Sequence, residues 1–271
     1  MTVDAHVHVW DLSVRDQDWI GRNSPIRRDF TVADLAPRAR AAGVDRAVLV
    51  QTVTVREETP EFLALADEHD LIAGVVGWTD LTGPDVAEEL ARLRELPGGR
   101  YLKGIRHQVQ GEADPRWLLR ADVRRGLAAV AEAGLVYDLV VLPHQLPACA
   151  KAAAALPELT FVLDHLGKPL VASGALEPWA TDIRALAALP NTVCKLSGLL
   201  TEADPASWTV DGLRPFADTV LDAFGPDRLM FGSDWPVCTQ VASYGEVLAI
   251  TREWADADEI FHGTAVRVYD L

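Results

Sequence analysis

Eight apolar runs rich in β-branched residues alternate with eight stretches of helical period, and that alternation leaves few folds open to the chain. The runs cover residues 3–9, 46–52, 71–78, 101–107, 135–142, 160–165, 192–197 and 228–234. Helical spacing fills 31–42, 60–69, 84–96, 121–133, 146–156, 177–189, 211–224 and 244–255. Thr31-x-x-Asp34 has the form of a capping box, and Gly43 and Gly134 each stand directly after a helical stretch, where glycine ends a helix. Pro157 and Pro190 each act as a stop a few residues before a strand begins.

Repeated βα units imply parallel strands joined by helical crossovers. Eight of them in 271 residues close most simply as a (β/α)8 TIM barrel, an α/β fold with one domain over residues 1–271. The alternative, an open doubly wound sheet, normally carries a glycine-rich phosphate loop after its first strand, and Trp10-Asp11-Leu12 stands there instead. The first βα connection is the longest. Residues 11–30, with Arg15, Trp19, Arg22, Arg27 and Arg28, are read as a loop that folds over a ligand; the alternative is a disordered surface excursion.

Lys plus Arg number 25 and Asp plus Glu 40, a formal charge of −15 that repels nucleic acid and anionic membranes, so neither is expected as a partner. Cys149, Cys194 and Cys238 form no Cys-x-x-Cys pair, which argues against a disulfide framework and a thiolate zinc site and fits a reducing cytoplasm. No basic-then-apolar leader opens the sequence and no apolar run reaches the ~18 residues of a membrane span, so a cytoplasmic protein is expected. A homo-oligomer is left open.

Residues two apart share a strand face, so His6 and His8 both point into the barrel, with His8 nearer the end where barrel enzymes keep their chemistry. His165 closes the sixth run and Asp234 the eighth, at the same rim. Each has a plainer reading: core histidines that only pack and hydrogen-bond, and a turn carboxylate before Pro236. Arg106, His107, Trp78, Gln51, Lys168 and Trp235 are the expected substrate contacts, offering flat aromatic faces and a bidentate donor. Lys103 lies three residues from Arg106, so Arg106 is taken as the inward one. Asp138 and Lys195 sit inside apolar runs and are expected to pair with each other or with substrate.

Asp4-Ala5-His6-Val7-His8, Gly104-Ile105-Arg106-His107-Gln108, Tyr137-Asp138, Leu163-Asp164-His165-Leu166-Gly167-Lys168-Pro169, Cys194-Lys195-Leu196-Ser197-Gly198 and Met230-Phe231-Gly232-Ser233-Asp234-Trp235-Pro236 together resemble the amidohydrolase superfamily. The resemblance is to its amidohydrolase-2 branch, which includes hydrolases of sugar lactones, and it spans nearly the whole chain. It implies a barrel that opens a lactone ring with water, a sugar lactone such as L-fuconolactone or L-rhamnonolactone. His6 and His8 then match the histidine pair after the first strand, His165 the histidine after the sixth, and Asp234 the aspartate after the eighth. The fifth run, 135–142, has no histidine where metal-dependent members place a ligand, which counts against a full binuclear site. His144, just beyond it, reads as part of the turn into a helix.

Lactone hydrolysis needs an activated water and donors for the carbonyl oxygen. Asp234 is expected to take the water's proton, with His6, His8 and His165 orienting the lactone and stabilising the oxyanion, and no cofactor required. The alternative is one divalent ion such as zinc held by His6, His8 and Asp234, with a coordination position left for water. Two other functions stay open: a metal-dependent hydrolase or decarboxylase acting on a carboxylated ring such as a pyrone dicarboxylate lactone, and a silent barrel that only binds a sugar acid.

Overall fold

The structure, a computed structural model, describes residues 1–271. The strands are β1 (Val3–Val7), β2 (Arg46–Val50), β3 (Ile72–Gly77), β4 (Leu102–His107), β5 (Val136–Leu139), β6 (Phe161–Leu163), β7 (Thr192–Leu196) and β8 (Leu229–Phe231). They form one sheet in the order β1 to β8, and every neighbouring pair is parallel. Helices α1 (Val32–Ala41), α2 (Glu58–Glu68), α3 (Val86–Glu95), α4 (Ala121–Glu132), α5 (Leu146–Ala155), α6 (Trp179–Ala187), α7 (Val210–Phe224) and α8 (Tyr244–Trp254) follow the strands in turn. This is the eight-unit (β/α)8 barrel that the alternation requires. A ninth helix, α9 (Thr264–Tyr269), follows a π-helical turn at Glu259–Gly263 and lies outside the predicted elements.

Each strand begins within a residue of its predicted run, and all but β4, which ends with its run at His107, end before it. The trailing residues of the runs, 164–165 and 232–234 among them, leave the ladder and become the rim. The capping box at Thr31 is present: Asp34 N–H donates to Thr31 Oγ1 at 3.3 Å and the Thr31 amide donates to Asp34 Oδ2 at 2.9 Å.

Alternate strand residues divide between two apolar clusters. Val48, Val50, Val76, Val136, Val162, Val193 and Met230 fill the barrel, whereas Ala47, Leu49, Val75, Leu139, Leu163 and Leu229 join the larger layer between strands and helices. The register of β1 on β2 slips by one residue, from Asp4 opposite Ala47 to Val7 opposite Leu49. A slip of one residue moves the following side chains to the other face. Asp4 therefore faces the outer layer, where its carboxylate meets Tyr244 of α8, while His6 and His8 both turn inward.

The cylinder closes between the first and last strands. Val7 bridges Trp235 in parallel, Asp234 N–H donates to the His6 carbonyl at 2.9 Å, and His8 N–H donates to the Trp235 carbonyl at 2.7 Å. At the opposite end Ala265 and Tyr269 of α9 pack into the inner cluster. The long loop at 11–30 is packed: Gln17, Ile20, Ile26 and Phe30 are buried, Trp10 bridges Phe30, and Ser24 Oγ donates to Gln240 Oε1 at 3.1 Å beyond β8. No helix is long and apolar enough to cross a membrane.

Candidate active site

The bonds that close the barrel also assemble the site. Because Asp234 and Trp235 exchange backbone hydrogen bonds with His6 and His8, the three side chains meet at one point of the rim. His6 Nε2 lies 3.0 Å from His8 Nε2, and Asp234 Oδ1 lies 3.4 Å from His8 Nε2 and 3.8 Å from His6 Nε2. The His165 ring centroid stands 4.5 Å from that of His6. Four of the five non-glycine residues with positive φ belong to this rim: His165, Leu166, Lys168 and Asp234. A left-handed backbone costs an L-residue energy and persists where surrounding structure enforces it. Gly198 and Gly232 make room: a Cβ at the first would stand 2.6 Å from His165 Nδ1, and at the second 2.7 Å from His6 Cβ.

Hydrogen bonding sets the His8 tautomer and biases that of His6. The Val50 carbonyl can only accept, so His8 Nδ1 carries the proton that reaches it at 2.7 Å. His6 Nδ1 faces both a donor, the Lys195 ammonium at 3.1 Å, and an acceptor, Asp164 Oδ1 at 3.3 Å, while Nε2 lies 3.0 Å from His8 Nε2 and 3.4 Å from Arg106 Nη1; the nearer ammonium favours Nδ1 as acceptor with the His6 proton on Nε2 towards His8. Burial pushes His6 well below the usual imidazole range against the pull of Asp164, which keeps it neutral. Burial likewise takes His165 down to about 4, with Asp234 and Asp164 opposing. For Asp234 burial pushes upward, but the imidazoles of His165, His8 and His6 prevail and hold the carboxyl below the ordinary range, ionised at neutral pH.

Beneath this group lies a closed charge network. Lys195 Nζ is 2.6 Å from Asp138 Oδ2 and 3.0 Å from Asp164 Oδ1, and Arg106 Nη1 donates to Asp164 Oδ2 at 3.0 Å. Two carboxylates and two cations, all within 4% of full burial, balance to zero, which is what makes their desolvation tolerable. Arg106 also donates to Gln51 Oε1 through Nε and Nη2, at 3.1 and 2.9 Å, so these two expected substrate contacts hold each other as part of the wall. The expected mutual pairing of Asp138 and Lys195 is observed. Asp164 and Tyr269 belong to the network without having been singled out beforehand. Asp164 was visible only as the residue before His165, and nothing in the sequence marked Tyr269.

The remaining expected contacts divide. Lys168 sits at the mouth, 3.7 Å from Glu202 Oε1. Trp78 and His107 form a separate pair: Trp78 Nε1 donates to His107 Nδ1 at 3.0 Å, His107 Nε2 donates to Glu112 Oε1 at 2.8 Å, and Trp117 stacks on the imidazole at 4.3 Å. Trp235 is wholly buried, its ring edge-on to Phe30 at 5.4 Å. Lys103 points away from the site to the Asp270 carbonyl at 2.7 Å, and His144 lies in a 3-10 turn leading into α5.

The chemistry of the donors fits a single divalent ion. His6, His8 and Asp234 offer two nitrogens and one oxygen within 4.8 Å of one another, as zinc takes them. Ligation through His6 Nε2 requires its proton to move to Nδ1. Asp164 Oδ1, buried, ion-paired with Lys195 and 3.3 Å from Nδ1, is placed to accept it there.

A parallel barrel with an imidazole pair from its first strand facing an aspartate beyond its last defines a hydrolytic class of barrel protein. A family profile described as Amidohydrolase matches residues 3–271, and the chain belongs to that family. Over 293 aligned residues it is 41% identical to the L-fucono-1,5-lactonase of Burkholderia multivorans, covering 100% of this chain and 96% of the relative. The L-fucono-1,5-lactonase of Burkholderia ambifaria is 39% identical, over 90% of this chain and 83% of its own. A crystal structure of an amidohydrolase from Burkholderia multivorans with bound zinc is similar at a TM-score of 0.94 and 40% identity, covering 100% of this chain and 99% of that one.

Proposed function

We propose that this chain opens a lactone ring with water and that its substrate is a sugar lactone of the L-fucono-1,5-lactone kind. The observation that carries this reading is the convergence of His6, His8, His165 and Asp234 on one point of the rim, in a chain similar over its full length to an L-fucono-1,5-lactonase.

Asp234 takes a proton from water as the water oxygen bonds to the lactone carbonyl carbon. Its depressed pKa makes it a weak base in the open site; a neutral lactone that displaces the remaining solvent raises its base strength by further desolvation. The carbonyl oxygen, now anionic, accepts from His165, whose Nε2 makes no hydrogen bond within the protein, and from His6 Nε2–H as that proton turns from His8 Nε2 to the oxyanion. The ring C–O bond then breaks, the leaving oxygen recovers the proton from Asp234, and a hydroxy acid departs. A divalent ion held by His6, His8 and Asp234 would supply Lewis-acid polarisation of the carbonyl and added acidity to the attacking water.

The mouth favours a neutral ring. A dicarboxylate wants two free cationic clamps, but Arg106 is committed to Asp164 and Gln51, and Lys168 is balanced by Glu202. Lys168 and Glu202 suit hydroxyl groups, one as donor and one as acceptor. Cys149, Cys194 and Cys238 are free and buried, which suits a reducing compartment, and we place the protein in the cytoplasm.

Acid release from a panel of aldonolactones, with a pyrone dicarboxylate beside them, tests the reading. Turnover of a six-carbon or deoxy-sugar lactone is expected. Release no faster than spontaneous hydrolysis for every sugar lactone, from folded protein assayed with and without added zinc, would end it.

A further inference from the structure

The C-terminal helix α9 puts a tyrosine into the floor of the barrel that no part of the proposed reaction uses. We propose that Tyr269 is a positioning residue: from the end of the cylinder opposite the rim, it sets the His6 imidazole through Asp138 and Lys195. The proposal deepens the lactonase reading by naming what holds one of its donors in place.

The path is short and dry. Tyr269 Oη lies 2.8 and 3.0 Å from the two oxygens of Asp138, and it is the sole hydrogen-bond donor to Oδ1. Asp138 Oδ2 takes the Lys195 ammonium at 2.6 Å, and Lys195 Nζ reaches His6 Nδ1 at 3.1 Å. Asp138, Lys195 and His6 have no exposure at all, and Tyr269 has 1%. Water therefore cannot replace a missing member. Lys195 Nζ also lies 5.4 Å from the centre of the Tyr269 ring, so the tyrosine fixes the ammonium from a second side.

The consequence reaches the rim. A carboxylate held at one oxygen only can turn about its last bond, and the ammonium it anchors turns with it. Lys195, nearer to His6 Nδ1 than the competing acceptor Asp164 Oδ1, favours the proton on Nε2, where the developing oxyanion needs it. Tyr269 is itself anchored from outside: the Asp270 carbonyl accepts from Lys103, and the Leu271 amide donates to the Val266 carbonyl at 3.2 Å. The hydroxyl thus stands at one end of a rigid relay of hydrogen bonds whose other end is an imidazole.

The test is Tyr269→Phe, which keeps the ring and its packing and removes only the hydroxyl. Two readouts are taken: lactone kinetics, and the ring nitrogens of His6 by histidine-selective 15N NMR, assigned with a His6→Asn variant. Expected are a fall in kcat on the order of tenfold with KM unchanged, and movement of the His6 nitrogen signals away from a protonated-Nε2 pattern. In an Asp138→Asn background the same substitution should add little, because the relay is already cut. Unmoved His6 signals in Tyr269→Phe would overturn the proposal. So would a loss that multiplies in full with that of Asp138→Asn, or damage confined to Tyr269→Leu, which removes the ring and reports packing. The NMR arm needs no lactone, so a mistaken substrate leaves it intact.

Discussion

The His6 amide donates to Asp4 Oδ1 at 3.1 Å, and the same carboxylate accepts from Ser233 N–H at 2.9 Å and Tyr244 Oη at 2.9 Å. One buried side chain thus holds the displaced register of β1, the start of the rim after β8 and a helix of the outer layer. Burial raises this carboxyl to about 6 even though every one of these donors opposes the rise. Asp4→Asn keeps the shape but offers a single acceptor oxygen to three donors. A loss of about 1–3 kcal/mol in urea unfolding is expected, with Asp4→Ala worse because all three donors are orphaned.

Asp234→Asn tests the proposed base. The backbone at Asp234 has φ of 57°, a conformation that asparagine tolerates better than other residues, so the substitution leaves the rim in place. Turnover should fall by about 10²–10⁴, the usual worth of general-base assistance, while the unfolding midpoint moves little. Near-parental turnover removes Asp234 from the mechanism.

The barrel was readable because its signals are repeated and local: an apolar run, a cap or a proline stop, and a helix, eight times over. His6, His8, His165 and Asp234 could be placed at one rim because the topology of a parallel barrel puts every strand end there. What the sequence hid is set by tertiary geometry. Nothing local announces that Asp4 faces outward while His6 turns in, since a one-residue slip in register leaves no compositional trace. Gln51 and Arg106 carry the right chemistry for a ligand, yet they bind each other, a choice that depends on the distance between β2 and β4. Helix α9 is six residues long, too short for periodicity to reveal, and Tyr269 therefore carried no mark.

His165 makes stability depend on pH. Its imidazole sits at about 4 in the folded chain against an ordinary value of 6.5, because burial disfavours the charged form. Between these values the unfolded chain holds more protons than the folded one, so stability rises with pH through this window and is lost on acidification from 6.5 towards 4. The full swing is about 3 kcal/mol at 1.36 kcal/mol per unit. Urea unfolding at pH 4.5 and 7.0 should show His165→Gln with a smaller difference between the two than the parent. An unchanged difference shows that the ring is not buried as a neutral group.

Zinc affinity should report the His6 proton. Equilibrium dialysis with zinc is expected to load about one ion per chain, and His8→Gln should weaken binding well over tenfold by removing one of only three protein ligands. Lys195→Met makes the opposite prediction. With the ammonium gone, His6 Nδ1 is free to carry the proton and donate it to Asp164 Oδ1, which turns the Nε2 lone pair to the metal; loss of the nearby positive charge acts in the same direction. The variant is destabilised by about 3–5 kcal/mol, since it leaves Asp138 and Asp164 short of a counter-charge. It should nevertheless bind zinc more tightly than the parent chain while folded. Weaker binding in Lys195→Met would show that His6 does not ligate through Nε2, and would leave His8 and Asp234 with too few partners to hold an ion.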